Sequence, residues 1–422
     1  MTNNNQPTKQ LIILGNGFDL ACGLKSSYSD FFQVHFAKIA GQSKIEDYYR
    51  NNIVNHELYR LIKEINFWDI IFISEYCSTA LHANSEWNDI ERIIYNVLHY
   101  ISTEDNSTNL SEDTKTMLFN FKGIPNYSKL IFEGLIKFER YFNDYLFEQI
   151  KNNDDYLNSS VPMKLSDLIN NDVLKSKLKN LSVLSFNYTL GKENIDDIRI
   201  NPMHTYMLSN SDELSTPLSI LIDRWVNIHG KTDNQATQNS PIIFGIDSDI
   251  VNKLPHNSPE YKLEVKFTKT FRVAISNFTH HINPLPKHID LITFYGHSLS
   301  SADFSYFESI FDMYNLYSSN LKLEFYYGTY NPLHKYVNYK GSGLMKYLNN
   351  KNNQNMQKLM TNVYSLLENY GSTLNDNHGN NLLHRLLLEG RIAFCILQVK
   401  SAEKCNDFLH SLAAHFLFYL VI

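Results

Sequence analysis

The stretch from Gln10 to Asp19 constrains the fold most. Leu11-Ile12-Ile13-Leu14 is an unbroken apolar run, entered through Gln10 and ended by Gly15-Asn16-Gly17. A strand with one wet face alternates apolar and polar residues. A run without alternation predicts a strand covered on both faces, central in a parallel sheet with helices above and below. Gly15 and Gly17 predict a tight strand-to-helix turn whose N–H groups approach a phosphate at the helix start. Asp19 reads either as a partner for a ribose hydroxyl or as a helix cap. The turn departs from the GxGxxG fingerprint. Its third glycine is missing, and no second strand ending in an acid follows about 20 residues later.

Five later segments repeat the pattern of a strand-like run ending in a glycine or a small polar residue. Leu181–Phe186 leads into Asn187-Tyr188-Thr189, Asp223–Ile228 into His229-Gly230, and Pro241–Phe244 into Gly245. Asp290–Tyr295 leads into Gly296-His297-Ser298, and Leu321–Tyr327 into Gly328. In an open parallel sheet, ligands bind beyond the carboxyl ends of the strands. Those ends carry the residues capable of chemistry. Asn187 offers both a donor and an acceptor to a water or sugar hydroxyl, or it stabilises a turn. His229 can exchange a proton near neutral pH, although it is one of 16 histidines. The turn from Gly296 to Asp303 can cradle a phosphate or ribose, or Ser301 or Asp303 caps a helix.

Between these strands, residues 43–180 change period. Leu58, Leu61, Ile62 and Ile65, then Ile90, Ile93, Ile94, Val97 and Leu98, then Leu130 to Leu146 recur at three and four. This predicts an all-helical insertion with a loop at Thr103–Thr114. Asn88 and Glu91 fit a capping-box start. Asp89 and Glu91, two apart on a helix, point to nearly opposite sides, against a paired-carboxylate site. Asn349–Asn355 reads as a low-complexity linker to a separable tail. The expectation is an α/β chain. Residues 1–345 form a Rossmann-like parallel sheet flanked by helices, with the large all-helical insertion at 43–180. Residues 356–422 form a helical C-terminal tail.

Composition narrows the function classes. Hydrophobic residues make up 43% and charged residues 19%, so the chain folds rather than staying disordered. A net charge of -6 argues against general nucleic-acid binding. Cys22, Cys77, Cys395 and Cys405 show no CxxC pair or metal-ligand spacing, so a reduced cytoplasmic setting and no metal are expected. The polar N-terminus and the lack of an apolar stretch of about 20 residues predict neither export nor membrane insertion.

GNGFDLACGLKSSYSDF, EWNDIE, SFNYT, NIHG, FGID and YGHSLSSADFSYF occur in this order. Together they resemble the motifs of the AbiH family of bacteriophage abortive-infection proteins, over roughly residues 9 to 330. The order is also remotely similar to the sirtuin-like NAD-hydrolase domains of antiphage systems. Those carry a GAG loop, an Asn-Tyr-Asp strand end, a His-Gly strand end and a GYSLSD turn. Here Asn16 stands for the Ala of GAG, Thr189 replaces the Asp, His229-Gly230 is kept, and Gly296-His297-Ser298-Leu299-Ser300 replaces GYSLS.

The resemblance implies an abortive-infection effector with NAD as its substrate, cut at the nicotinamide–ribose bond. It implies Asn187 and His229 as catalytic residues. It sets Gly15, Asn16, Gly17, Asp19, Gly296, His297 and Ser298 along the nucleotide. It gives Asp89, Glu91 and Asp247 no role. Asp376–Leu386 resembles part of an ankyrin repeat. Two other readings stand beside the hydrolase: a non-catalytic nucleotide sensor, and an interaction protein that recognises a phage component. The anticipated partners are NAD or a related nucleotide, a phage-derived protein trigger and a second copy of the chain.

Overall fold

The structure is a computed structural model. It describes residues 9–40, 65–77, 87–169, 181–191, 194, 199–200, 218–219, 222–234, 241–275, 285–299, 301–328, 342–374 and 379–397. Its centre is a six-stranded sheet. The strands are β1 (Gln10–Leu14), β2 (Leu181–Ser185), β3 (Ile222–Asn227), β4 (Leu291–Tyr295), β5 (Lys322–Tyr327) and β6 (Ile392–Ile396). Their spatial order is β3-β2-β1-β4-β5-β6, and every neighbouring pair is parallel. This is the strand order of doubly wound dinucleotide-binding sheets, with the direction of winding reversing between β1 and β4.

β1 lies centrally, as its sequence requires. Leu11 and Ile13 enter one hydrophobic cluster and Ile12 and Leu14 another, on opposite faces of the sheet. All four are at most 1% exposed.

The short α1 (Gly17–Ala21) and α2 (Tyr28–Ala40) follow β1. The helical insertion then holds α3 (Phe67–Cys77), α4 (Trp87–Thr103), α5 (Glu112–Phe121), α6 (Tyr127–Lys151) and α7 (Val161–Leu168). Its core is aromatic: Phe31, Phe72, Phe138 and Phe142 pack with Tyr28 and Phe244. Ser111 begins α5 by accepting the Thr114 N–H, closing the expected loop.

Between β3 and β4 come α8 (Ser248–Asn252), α9 (Pro259–Glu264) and α10 (Lys269–Ile275). α11 (Phe304–Met313) joins β4 to β5, and α12 (Ser342–Thr373) and α13 (Leu382–Leu388) lie between β5 and β6. Among the described residues no helix is long and apolar enough to cross a membrane.

Three sequence expectations change. Pro241–Phe244 is buried but is no strand of the sheet. Its backbone is satisfied by the His229 carbonyl, the Tyr188 hydroxyl and the Glu139 carboxylate instead of by a ladder. Asn349–Asn355 is helix, not linker. The helix persists because Val363, Leu366, Leu367 and Tyr370, spaced three and four apart, are buried in the cluster that also holds Leu11, Ile13, Leu323 and Phe325. The described residues after 345 therefore pack on the sheet rather than standing apart. They also supply the strand β6, reached directly from α13. Leu58, Leu61, Ile62, Asp376–His378, Cys405 and Leu409–Leu412 lie outside the described residues.

Candidate functional site

The site forms where β1, β2, β3 and β4 end. The turn after β1 and the turn after β4 interlock. Gly15 N–H donates to the Tyr295 carbonyl at 3.0 Å and Gly17 N–H to the Gly296 carbonyl at 2.8 Å. Gly296 has φ of +73°. A Cβ at Gly15 would lie 2.4 Å from His297 Cα, and one at Gly296 would lie 2.3 Å from Phe18 N. The glycines are thus needed for two turns to touch backbone to backbone. The Gly15 and Gly17 donors are engaged by the protein itself, so these two N–H groups do not supply the phosphate contact expected of them. The Asn16 side chain faces Ser26, accepting its hydroxyl at 2.6 Å.

His297 is likewise held inside. Its Nδ1 accepts the Leu299 N–H at 2.9 Å, which fixes the proton on Nε2, 3.4 Å from Asp303 Oδ2. Ser298, by contrast, is exposed at the same edge.

Asn187 stands at the end of β2, 4% exposed. The Ser185 hydroxyl accepts its N–H, and Asn227 at the end of β3 donates to its carbonyl. Its side-chain Oδ1 is buried without a hydrogen-bond partner among the described residues. Asp19 is no helix cap. It is 1% exposed, and its carboxylate accepts the Tyr156 hydroxyl and the Thr189 hydroxyl, each at 2.7 Å. Burial pushes its pKa up to about 6, against the lowering by Tyr156, Thr189 and Asn187.

His229 ends the neighbouring strand β3, 3% exposed, before Gly230 with φ of +88°. Its Nε2 is also buried without a partner among the described residues. Burial, then the nearby Lys269, pulls its pKa down to about 3, so it is neutral at physiological pH. Phe186 and Tyr306 flank it edge-on, with ring centroids 5.6 and 5.4 Å away.

Beside His229 lies a buried charge cluster. Lys269 Nζ is 2.6 Å from Glu91 Oε1 and 2.8 Å from Asp303 Oδ1. Burial alone would lower the Lys269 pKa, but Asp303 and Glu91 outweigh it and hold the ammonium charged. Glu91 is pushed up by burial, and its second oxygen has no partner. Asp247 is buried, and both Glu91 and Tyr306 feel its charge. Asp303 occupies the N-cap position of α11 but caps nothing; it serves Lys269 and His297. Glu91, read as a capping residue, reaches into the site from the insertion. The side chains of Asn88 and Asp89 are outside the described residues. Among the described residues no group of three or more His, Cys, Asp or Glu is arranged to hold a metal ion.

The structure thus brings together Asn187, His229 and the turns at 15–17 and 296–298. Sequence reasoning missed Lys269, Tyr156 and Tyr306. Nothing local marks Lys269 or Tyr156: a lysine opening a helix and a tyrosine in a chain with 27 of them are ordinary, whereas Tyr306 lies inside the YGHSLSSADFSYF motif. Only the EWNDIE motif pointed toward Glu91.

A family model described as bacteriophage abortive infection AbiH matches residues 11–327, from β1 through β5. No curated protein and no solved structure matches the chain.

Proposed function

We propose, from the premise that this chain belongs to the AbiH family and so has a role in bacteriophage abortive infection, that it fills that role by hydrolysing NAD at the nicotinamide–ribose bond. One observation carries the reading. Asn187 Oδ1 and His229 Nε2 are buried polar atoms without partners among the described residues, at the carboxyl ends of adjacent parallel strands. An unpaired buried acceptor costs about 1–3 kcal/mol. Two on neighbouring strand ends support a site that meets its partner in a substrate.

The chemistry suits neutral groups. Nicotinamide leaves without protonation, because its pyridinium ring takes the bonding electrons and becomes neutral. An oxocarbenium-like ribose remains and water adds to it. Asn187 Oδ1 accepts a hydrogen bond from that water or from a ribose hydroxyl. His229, kept neutral by burial, accepts the proton through Nε2, a role typically worth about 10²–10⁴ in rate. Phe186 and Tyr306 shield the reacting carbon from bulk water. The strand order favours a dinucleotide at the switch point between β1 and β4, beside both turns. Exposed Ser298 and the outer surface of the 15–17 turn contact the nucleotide there.

The test is nicotinamide release by the purified protein supplied with NAD, alone and with lysate from phage-infected cells. Asn187→Ala and His229→Ala each lower release by about 10²-fold or more. Because both act on one centre, the double variant is little worse than either single one. No nicotinamide under any condition sinks the hydrolase reading.

A further inference from the structure

The turn after β4 leaves ordinary backbone at a second place. Leu299 has φ of +52°, a left-handed conformation that costs a non-glycine residue about 1–2 kcal/mol. Its side chain is 1% exposed, in the cluster that holds Phe294 and Phe307, so it cannot turn outward without uncovering apolar surface. Its N–H donates to His297 Nδ1 at 2.9 Å, and Asn362 on α12 donates to the neighbouring Ser298 carbonyl at 2.7 Å. The exposed Ser298 is therefore carried on a turn tied at both places. The tie at Leu299 holds only while Nδ1 is bare, since a proton there would meet the N–H head-on.

What keeps Nδ1 bare lies on the other side of the ring. Asp303 Oδ2 is 3.4 Å from His297 Nε2, and Asp303 Oδ1 is 2.8 Å from Lys269 Nζ. Burial would raise the pKa of Asp303, but Lys269 outweighs it and keeps the carboxylate ionised. An ionised carboxylate accepts and never donates, so it favours the imidazole tautomer with the proton on Nε2. Phe186 and Phe307 pack edge-on against the ring, with centroids 4.6 and 5.0 Å away, and restrain it from turning over. Glu91 anchors Lys269 from the insertion at 2.6 Å. The side chains of Glu91, Lys269, Asp303 and His297 are each at most 7% exposed.

We propose that Asp303, steered by Lys269, is a positioning residue that fixes the tautomer of His297 and so holds the 296–299 turn in the conformation that presents Ser298 to the nucleotide. That the ligand is a nucleotide rests on the NAD reading above; the tautomer does not. Asp303 acts through His297 rather than by touching the ligand.

The experiment uses the full chain labelled with ¹⁵N-histidine, at about pH 8. The ring signals of His297 are identified by their disappearance in His297→Gln. In the unsubstituted protein they show the proton on Nε2 and a bare Nδ1. The isosteric Asp303→Asn leaves Lys269 paired with Glu91, so no charge is stranded. Lys269 still donates to the oxygen of the new amide, whose NH₂ then faces His297, and the ring moves its proton to Nδ1. The Leu299 N–H loses its acceptor, and its protection from hydrogen exchange falls by about tenfold. With NAD, KM rises by about tenfold while kcat stays within about threefold. Glu91→Gln removes charge from the same cluster but keeps the Asp303 carboxylate, and the proton stays on Nε2. A protonated Nδ1 in the unsubstituted protein overturns the proposal whatever the variants do. So does an unchanged tautomer in Asp303→Asn, a switched one in Glu91→Gln, or an unchanged KM once the tautomer has switched. If tautomer and exchange respond but no form of the protein releases nicotinamide, the positioning by Asp303 stands and NAD is not the substrate.

Discussion

A methyl group at Gly15 would meet the backbone of His297 at 2.4 Å, and one at Gly296 would meet the backbone of Phe18 at 2.3 Å. Neither neighbour is a side-chain tip that can swing away. Gly15→Ala and Gly296→Ala should each cost about 3 kcal/mol or more, read as a lowered urea midpoint. Ser298→Ala at the exposed edge should leave the midpoint unchanged. His229 makes a second residue-scale prediction. The unfolded chain protonates this histidine near 6.5 and the folded chain only near 3. The stability it confers is therefore full above pH 6.5 and is lost as the pH falls toward 3. By pH 4.5 the loss is about 2–3 kcal/mol. His229→Gln should remove this component, so the stability gap between the two proteins shifts by that amount between pH 7 and pH 4.5. A pH-independent gap would show that His229 is protonated in the folded protein.

The buried Glu139–Arg272 pair joins α6 to α10 and fixes the segment between them. Arg272 Nη2 donates to Glu139 Oε2 at 2.9 Å, Nη1 donates to Oε1 and to the Phe244 carbonyl, and Phe244 N–H donates to Oε1 at 2.7 Å. This bears on why Pro241–Phe244, apolar enough for a strand, forms only an isolated bridge to Gly230: the Phe244 N–H and the Ile243 carbonyl are taken by the Glu139 and Tyr188 side chains. Arg272→Met leaves Glu139 buried and uncompensated, since Glu139 is 0% exposed. The expected loss is about 3–5 kcal/mol by denaturant titration. Glu139→Gln together with Arg272→Met should recover part of it, because no unpaired charge is then buried.

At the scale of the molecule, the described residues between 346 and 397 complete the sheet. Leu366, Leu386 and Leu323 are all 0% exposed in one cluster, and Leu323 N–H donates to the Arg391 carbonyl at 2.7 Å. A chain ending at residue 345 would uncover β5 along one edge and the face of the sheet beneath α12. It should be recovered as aggregated protein, and limited proteolysis of the full chain should spare residues 349–355. A soluble, folded 1–345 fragment would show that α12, α13 and β6 are accessory.

The sequence by itself determined the class of fold and the ends of the strands. An apolar run without alternation must be covered on both faces, which makes β1 central whatever surrounds it. Helical periodicity fixed the insertion, because the spacing of apolar residues is a local property of the chain. The AbiH motifs gave the family, and they brought Asn187 and His229 into view. What the glycines are for, and what Asp19 binds, only the tertiary structure decided. Gly15 approaches a turn some 280 residues away, and Asp19 bonds Tyr156 across 137 residues of sequence. Lys269, Glu91 and Asp303 come from three separate elements. Charge pairing in the interior depends on distance and burial, and neither is written in the spacing along a chain. The strand β6 escaped for a related reason: its five residues form a strand because the free edge of β5 is there to pair with.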